Sequence, residues 1–254
     1  MATNKRTLSR IGFYCGLALF LIITLFPFFV MLMTSFKGAK EAISLHPTLL
    51  PQQWTLEHYV DIFNPMIFPF VDYFRNSLVV SVVSSVVAVF LGILGAYALS
   101  RLRFKGRMTI NASFYTVYMF SGILLVVPLF KIITALGIYD TIPDEIEEAA
   151  MMDGLNRLQI IFRITVPLAM SGLISVFVYC FMVAWNDYLF ASIFLSSASN
   201  FTLPVGLNAL FSTPDYIWGR MMAASLVTAL PVVIMYALSE RFIKSGLTAG
   251  GVKG

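Results

Sequence analysis

The feature that most constrains this chain is a set of uncharged, apolar stretches, each long enough to cross a lipid bilayer. The first stretch runs from Ile11 to Phe36 and contains no Asp, Glu, Lys or Arg. A helical span needs about 20 apolar residues, so this stretch predicts a complete transmembrane helix, bent at Pro27. Its length, and the lack of a small-residue cleavage site after it, distinguish it from a signal peptide.

Four further stretches are equally free of charge: Asn76–Ser100, Met108–Phe130, Val166–Asn186 and Met221–Ser239. The composition agrees, because 59% of the 254 residues are hydrophobic and only 12% are charged, whereas a soluble domain carries roughly 25% charged residues. Lipid must therefore be the solvent for most of the surface. We predict an all-α fold, a polytopic transmembrane helical bundle with five visible spans, in which residues 1–254 form a single domain.

Small side chains inside the spans predict packing rather than chemistry. On the second span they recur at every fourth position, which predicts a face that another helix can approach closely. These residues are Ser84, Ala88, Gly92, Ala96 and Ser100. Cys15 and Cys180 both lie in apolar runs and are interpreted as small fillers, so neither a disulfide nor a metal site is predicted.

The positions of Lys and Arg predict which side of the membrane each loop occupies, since positive residues accumulate on the cytoplasmic side. The relevant residues are Lys5, Arg6 and Arg10 before the first span, Arg101, Arg103, Lys105 and Arg107 after the second, and Arg241, Lys244 and Lys253 in the tail. The first two groups predict a cytoplasmic N-terminus. Five crossings would leave the basic tail outside, so the charges predict one more crossing between Phe130 and Arg157. The apolar residues 132–139 are too few to supply it.

The charged stretch 142–170 predicts two short helices joined by a turn. Thr141 and Asp144 have the spacing of a capping box, and Pro143 suits the first turn of a helix. Four acids lie near this helix start, where the helix dipole favours anions: Asp144, Glu145, Glu147 and Glu148. Gly154 is predicted to end the first helix in the left-handed conformation.

The boundaries of the fourth visible span are also suggested by single residues. Asn156 and Gln159 can cap the second short helix that precedes it. Pro167 is then predicted to begin the span. At its far end lie Asn186 and Asp187. An ionisable group at membrane depth marks a candidate transport path, and capping at a hydrated interface is the alternative.

The stretch 142–170 also carries a spaced motif. It consists of Glu148-Ala149-Ala150, then Gly154, then Ile164-Thr165-Val166-Pro167. This is similar to the loop that defines the permease subunits of bacterial ABC importers, with Val166 in place of Leu as the one departure. The resemblance extends over most of the chain and points to carbohydrate-type, maltose-permease-like members. It includes TSFK ending at Lys37, NSL from Asn76, ALSRLRFKGR ending at Arg107, AWNDYLF from Ala184 and GLTAGGVKG at the C-terminus.

The resemblance implies that residues 142–167 form a coupling loop, which docks into a separate ATP-hydrolysing subunit. Its residues would be Glu148, Ala149, Ala150, Asp153, Gly154 and Pro167. Glu148 would pair with a basic residue of the ATPase, the alanines would permit close helix contact, and Gly154 would permit the tight turn. Closure of the ATPase dimer on ATP would then rock the spans between outward-open and inward-open states.

The implied assembly lies in the bacterial inner membrane. It comprises this subunit, a homologous sister permease, a cytoplasmic dimer of ATP-binding subunits and an extracellular or periplasmic sugar-binding protein. The loop Phe190–Gly219 is a candidate to receive sugar from that protein. No cofactor, metal ion or nucleic acid is implied, and the sequence does not name the sugar.

The resemblance fails at one place. Members of this family usually have six spans, and the fourth would lie between LGIYDT and the acidic helix. Here Thr141 is followed directly by Ile142. The family pattern and the charge pattern therefore locate the same absent span.

Three alternatives remain. A secondary transporter needs ionisable residues within its spans, whereas these spans are uncharged and His46 and His58 lie in the first loop. A membrane enzyme would carry a motif such as the Walker-type loop or H-E-x-x-H, and neither occurs. The third is a shortened permease that does not transport, because loss of one span would turn the acidic helix pair outward, away from a cytoplasmic ATPase.

Overall fold

A computed structural model of the chain describes residues 2–44, 46–102, 104–110, 113, 152–212 and 218–250, with side chains described between residues 12 and 240 of these ranges. Within these ranges all regular secondary structure is helical, which confirms the predicted all-α class. The longer helices are α1 (Ala2–Ser35), α4 (Phe70–Arg101), α7 (Met170–Trp185) and α10 (Trp218–Gly250). The short ones are α2 (Ala39–Ala42), α3 (Glu57–Ile62), α5 (Arg157–Ile160), α6 (Val166–Leu168), α8 (Leu189–Phe194) and α9 (Leu203–Ala209).

Three of the described helices are long and apolar enough to cross a membrane. They are Gly12–Ser35 with 24 residues, Phe70–Arg101 with 32, and Trp218–Glu240 with 23. At 1.5 Å per residue each exceeds the roughly 30 Å hydrocarbon core. These helices confirm the first, second and last predicted spans, whereas the third, Met108–Phe130, lies largely outside the described residues.

The fourth predicted span is bent, which corrects its predicted course. Residues Arg157–Leu168 and Met170–Trp185 meet at 85° and together form one candidate span. Pro167 lies before the bend, so it does not begin the long helix α7. The physical reason is local: residues Ile161–Thr165 are a π-helical turn, Pro167 cannot donate a backbone hydrogen bond, and Ala169 has left the helical conformation at φ −86° and ψ 5°.

The chain packs into two compact units. The first, here called the loop unit, contains Met1–Phe74 and Ala191–Leu230. The second contains Arg75–Phe190 and Pro231–Gly254 and is here called the coupling unit, after the coupling loop that is predicted within it.

The core of the coupling unit lies between α4 and the bent fourth span. Buried residues from both elements form one cluster: Ile93, Ala96, Tyr97, Ile161, Ala169, Leu173, Val176 and Cys180. Ala96 belongs to the predicted small-residue stripe, but Ser84 is exposed. Residues four apart advance by about 40° around a helix, so a strict four-residue stripe leaves the buried face. The residues fully buried further up α4 are instead Ser77, Ser81 and Ser85.

Side-chain hydrogen bonds order the first loop of the loop unit. Lys37 is buried and donates to the Thr48 carbonyl. The Glu41 carboxylate accepts from the Thr48 hydroxyl at 2.7 Å and from the Gln52 N–H at 3.0 Å. Desolvation raises the pKa of Glu41, but these hydrogen bonds and nearby Lys37 outweigh it and lower that pKa below its usual value.

Candidate functional site

The described part of the coupling loop is a tight turn followed by a capped helix. Gly154 has φ +82°, a conformation that side chains disfavour and glycine adopts freely. The Gln159 N–H donates to Asn156 Oδ1 at 2.9 Å, and the Asn156 N–H donates to Gln159 Oε1 at 2.8 Å. This is a complete capping box at the start of α5. The predicted left-handed glycine and the predicted cap are both confirmed.

The side chains of this turn are exposed on the protein surface. Met152 is 89% exposed and Leu158 is 59% exposed, and Asp153 and Asn156 are exposed as well. Exposed apolar side chains of this kind are typical of surfaces that contact another protein. The predicted coupling residues Glu148, Ala149 and Ala150 lie outside the described residues.

The turn lies at the C-terminal end of α4. Arg101, Leu102 and Phe104 line a cavity of about 610 Å³ together with Arg157, the first residue of α5. Because α4 spans the bilayer, its Arg101 end marks one membrane surface. The described part of the coupling loop therefore shares the membrane surface that carries the basic cluster after the second span.

The other end of α4 belongs to the loop unit. The side chain of Tyr73 packs over Gly206 so closely that a Cβ at Gly206 would overlap its ring. On the same side, Arg220 at the start of α10 donates from Nη2 to Asp61 Oδ2 at 3.0 Å. The first loop, the start of α4, the segment around Gly206 and the start of α10 thus share one membrane surface.

The remaining predicted site residues do not join the coupling turn. Pro167 is exposed and lies in α6. Asn186 Nδ2 donates to the Met182 carbonyl at 2.7 Å, and Asp187 Oδ1 accepts weakly from the Phe190 N–H at 3.5 Å. Asn186 and Asp187 therefore make local hydrogen bonds at the ends of α7 and α8.

One cluster in the loop unit was not predicted from the sequence. His58 on α3 is buried, and its ring lies against the backbone of Gly219 at the start of α10, where a Cβ would collide with it. Neither ring nitrogen of His58 has a hydrogen-bond partner among the residues that the structure describes. Asp61, one turn further along α3, forms the ion pair with Arg220. The only sequence signal was a histidine followed three residues later by an acid.

Apolar candidate spans and an exposed, capped turn at one membrane surface define the class of polytopic helical membrane proteins. Among the described residues, no group of three or more His, Cys, Asp or Glu could hold a metal ion. The comparisons with known proteins identify the family. Residues 9–245 match the family described as "Binding-protein-dependent transport system inner membrane component", and the chain belongs to this family.

Curated relatives agree. The chain is 91% identical to the inner membrane ABC transporter permease protein YcjP of Escherichia coli K12, over all of both chains. It is 34% identical to the trehalose/maltose transport system permease protein MalG of Thermococcus litoralis, over 99% of each. The fold matches a bacterial ABC transporter involved in the import of the acidic polysaccharide alginate, with a TM-score of 0.79 and 21% identity over 93% of this chain and 97% of that one. The predicted carbohydrate-type permease family is confirmed.

The alignment with the Escherichia coli protein also bears on the absent span. It has 280 positions and this chain supplies 254 residues, so 26 positions have no counterpart here. The identity is 91%, and 254 of 280 is also 91%. This value is expected if every residue of this chain is identical to its aligned counterpart. Twenty-six helical residues would extend about 39 Å, enough for one crossing. The one span predicted to be absent between Thr141 and Ile142 would need about this many residues, and its absence stays a prediction.

Proposed function

We propose that this chain is one of two permease subunits in an importer that moves a carbohydrate across the inner membrane, with ATP hydrolysed by a separate subunit dimer. The named relatives transport trehalose and maltose, or diacetylchitobiose in Streptomyces coelicolor at 34% identity, which supports a sugar as the substrate class. A sister permease and an external sugar-binding protein complete the proposed assembly. The N-terminus is cytoplasmic in this proposal.

The observation that carries the proposal is the placement of the capped turn. Gly154 and the Asn156 cap fix the backbone of an exposed turn at the Arg101 end of α4. That surface carries the basic residues expected on the cytoplasmic side, where an ATPase could reach the turn. Exposed Met152 and Leu158 would supply its apolar contacts.

A pair of glycine substitutions tests this coupling role. Gly154→Ala forces a side chain into the left-handed region and costs about 1–2 kcal/mol locally. Gly38→Ala is the matched control, since Gly38 also has open space around it but has φ −63°. In membranes that also contain the ATPase subunit, Gly154→Ala should reduce transport and recovery of the ATPase, whereas Gly38→Ala should leave both unchanged. Equal behaviour of the two variants would refute the coupling role.

The second candidate function is a shortened permease that does not transport, and the 26 unmatched positions favour it. In this candidate the coupling turn lies on the side of the membrane away from the ATPase.

A reporter fused to the C-terminus, together with a single cysteine at position 140, separates the two candidates. A cytoplasmic reporter, together with a cysteine that is labelled from the cytoplasmic side, would support the importer. The coupling loop and the C-terminal tail would then lie on the same side of the membrane as the ATPase. An external reporter would support the shortened, non-transporting permease. The control is a reporter within the first loop at Gly38, which both candidates place outside.

A further inference from the structure

An apolar groove lies along one face of α3 in the first loop. It has a volume of about 650 Å³ and is lined by Leu56, Tyr59, Val60, Phe63, Asn64 and Pro65. The side chains of Leu56, Val60 and Phe63 are 62%, 67% and 51% exposed, so large apolar groups stand open on this face. We propose that this face lies in the membrane interface, where the acyl chains of lipids fill the groove.

The helix α3 is apolar on two opposite faces. Leu56, Val60 and Phe63 have the i, i+4, i+7 spacing that places side chains on one face of a helix. His58 and Ile62 lie on the opposite face and are buried. A helix that is apolar on both sides is expected to be covered on both sides. Among the described residues the chain covers only the face of His58 and Ile62, so the groove requires an apolar partner.

Two hydrogen bonds hold α3 and the residues before it at the end of α1. The hydroxyl groups of Tyr59 and Ser35 are hydrogen-bonded at 2.9 Å. The Thr55 N–H donates to the Phe36 carbonyl, also at 2.9 Å. The first loop is therefore tied to the last residue of α1 and to the residue that follows it.

The length of α1 places this attachment at the level of the lipid headgroups. The candidate span Gly12–Ser35 has 24 residues and so extends about 36 Å. The hydrocarbon core is about 30 Å thick, and the headgroup regions increase the bilayer to about 40–45 Å. A span of this length that is centred in the bilayer ends among the headgroups. Since Tyr59 contacts Ser35, α3 begins at the same level, within reach of acyl chains.

Aromatic side chains beside the groove support this placement. The Phe36 ring lies 5.7 Å from the Trp54 ring and 5.4 Å from the Tyr59 ring, measured between centroids. Trp54 is exposed. Trp and Tyr are enriched at membrane–water interfaces, because each combines an apolar ring with a polar group that favours water. The cluster therefore has the composition of an interfacial anchor.

The charges of the first loop indicate which part of a lipid makes the contact. From residue 41 to residue 74 the chain has no Lys or Arg, and its charged residues are the acids Glu41, Glu57, Asp61 and Asp72. Anionic headgroups are attracted by clusters of basic residues, which this segment lacks. The contact is therefore with acyl chains and does not require an anionic headgroup.

The test measures whether this face of α3 contacts hydrocarbon or water. A spin label is attached to Val60→Cys in the full-length chain, after Cys15→Ala and Cys180→Ala have removed the native thiols. The protein is placed in nanodiscs of phosphatidylcholine, one chain in each. Electron paramagnetic resonance then compares collisions with oxygen, which concentrates in hydrocarbon, and with a water-soluble nickel chelate.

The oxygen-to-nickel collision ratio at position 60 should exceed the ratio at position 52 several-fold. The control label is attached to Gln52→Cys, since Gln52 is exposed in the same loop and its N–H donates to the Glu41 carboxylate. Replacing half of the phosphatidylcholine with phosphatidylglycerol should leave the ratio at position 60 unchanged. The measurement does not depend on transport, because the chain is studied without its proposed partners.

Three results would overturn the proposal. Equal ratios at positions 60 and 52 would mean that the groove is open to water. Low collision rates with both reagents at position 60 would mean that protein covers the groove. A ratio that rises with phosphatidylglycerol would mean that charge, and not the apolar face, brings lipid to this site. A label at Leu56→Cys, on the same face, keeps the test valid if the Val60 variant fails to fold.

Discussion

Two connections between spans in this protein contain short helices, yet different kinds of contact hold them. The first loop, residues 37–69, is fastened to distant parts of the chain. Its Asp61 pairs with Arg220, 159 positions away, and His58 packs against Gly219. The turn 152–160 is shaped instead by its own neighbours, through Gly154 and a capping box that joins residues three apart.

The two connections differ in how they are tied to the rest of the chain. A loop tied to the start of α10 by a buried ring and an ion pair must shift together with that helix. The coupling turn keeps its shape through local bonds, while the fully buried Ile160 at its end and Ile161 directly after it anchor it to the core of its unit. A turn with an independent shape can transmit a push as a rigid piece, which is the property required of a coupling element.

The largest effect on the first loop is expected when a side chain is added at Gly219. In Gly219→Ala the new Cβ collides with the His58 ring, and such overpacking costs about 1–3 kcal/mol or more where neither side can yield. Thermal unfolding of the purified protein should shift to markedly lower temperature. Gly95→Ala is the control, since it lies in α4 with open space around it.

Adding His58→Ala to the Gly219→Ala variant sharpens this test. Removal of the imidazole opens space for the methyl group, so the double variant should recover part of the lost stability. Strictly additive losses would show that the two residues do not depend on each other, and would contradict the packing described here.

The ion pair should have the next largest effect. Asp61→Asn removes the carboxylate that pairs with Arg220. Both side chains are mostly buried, with 12% of Arg220 and 18% of Asp61 exposed. Breaking such a pair from one side should cost about 2 kcal/mol, measured by thermal unfolding at low and high salt. Replacing both residues, as in Asp61→Leu with Arg220→Met, should cost less than the single change, because no unpaired charge remains. A larger loss in the double variant would refute this account.

The same contrast explains how much could be predicted from the sequence. Each span is recognisable alone, because a lipid environment requires an uninterrupted apolar stretch of sufficient length. Gly154 and the Asn156 cap were predictable for a similar reason, since their signals lie within a few residues. The motif at 148–167 then identified the family, which the comparisons confirm.

Features that depend on packing between distant segments were not predictable. The contact of His58 with Gly219 has no local signal, and the burial of Ser77, Ser81 and Ser85 depends on neighbouring elements. The bend at Ala169 was missed because Pro167 alone is compatible with either a helix start or a kink. Local chemistry predicts caps and turns, whereas tertiary contacts decide which face of a span is buried.

A smaller effect is expected when the cap of the coupling turn is removed. Asn156→Ala takes away the acceptor for the Gln159 N–H and should destabilise the start of α5 by about 1 kcal/mol. Hydrogen exchange at the amides of residues 157–160 should accelerate by roughly fivefold, which is that energy expressed as a rate ratio. Asn156→Asp keeps the acceptor and serves as the control. Exchange that accelerates equally across the first loop would show global rather than local loosening.

The smallest effect concerns the pH dependence of the first loop. Folding lowers the pKa of Glu41 below its usual value of 4.5. The ionised carboxylate therefore stabilises the folded loop at any pH above 4.5, and this stabilisation is lost as the pH falls through the lowered pKa. Glu41→Gln should therefore lower stability by about half a kcal/mol at pH 7, and the difference from the unmodified chain should shrink below pH 4. Thermal unfolding at both pH values measures this, with the exposed Glu57→Gln as the control. A difference that persists unchanged at low pH would mean that Glu41 acts through its shape rather than its charge.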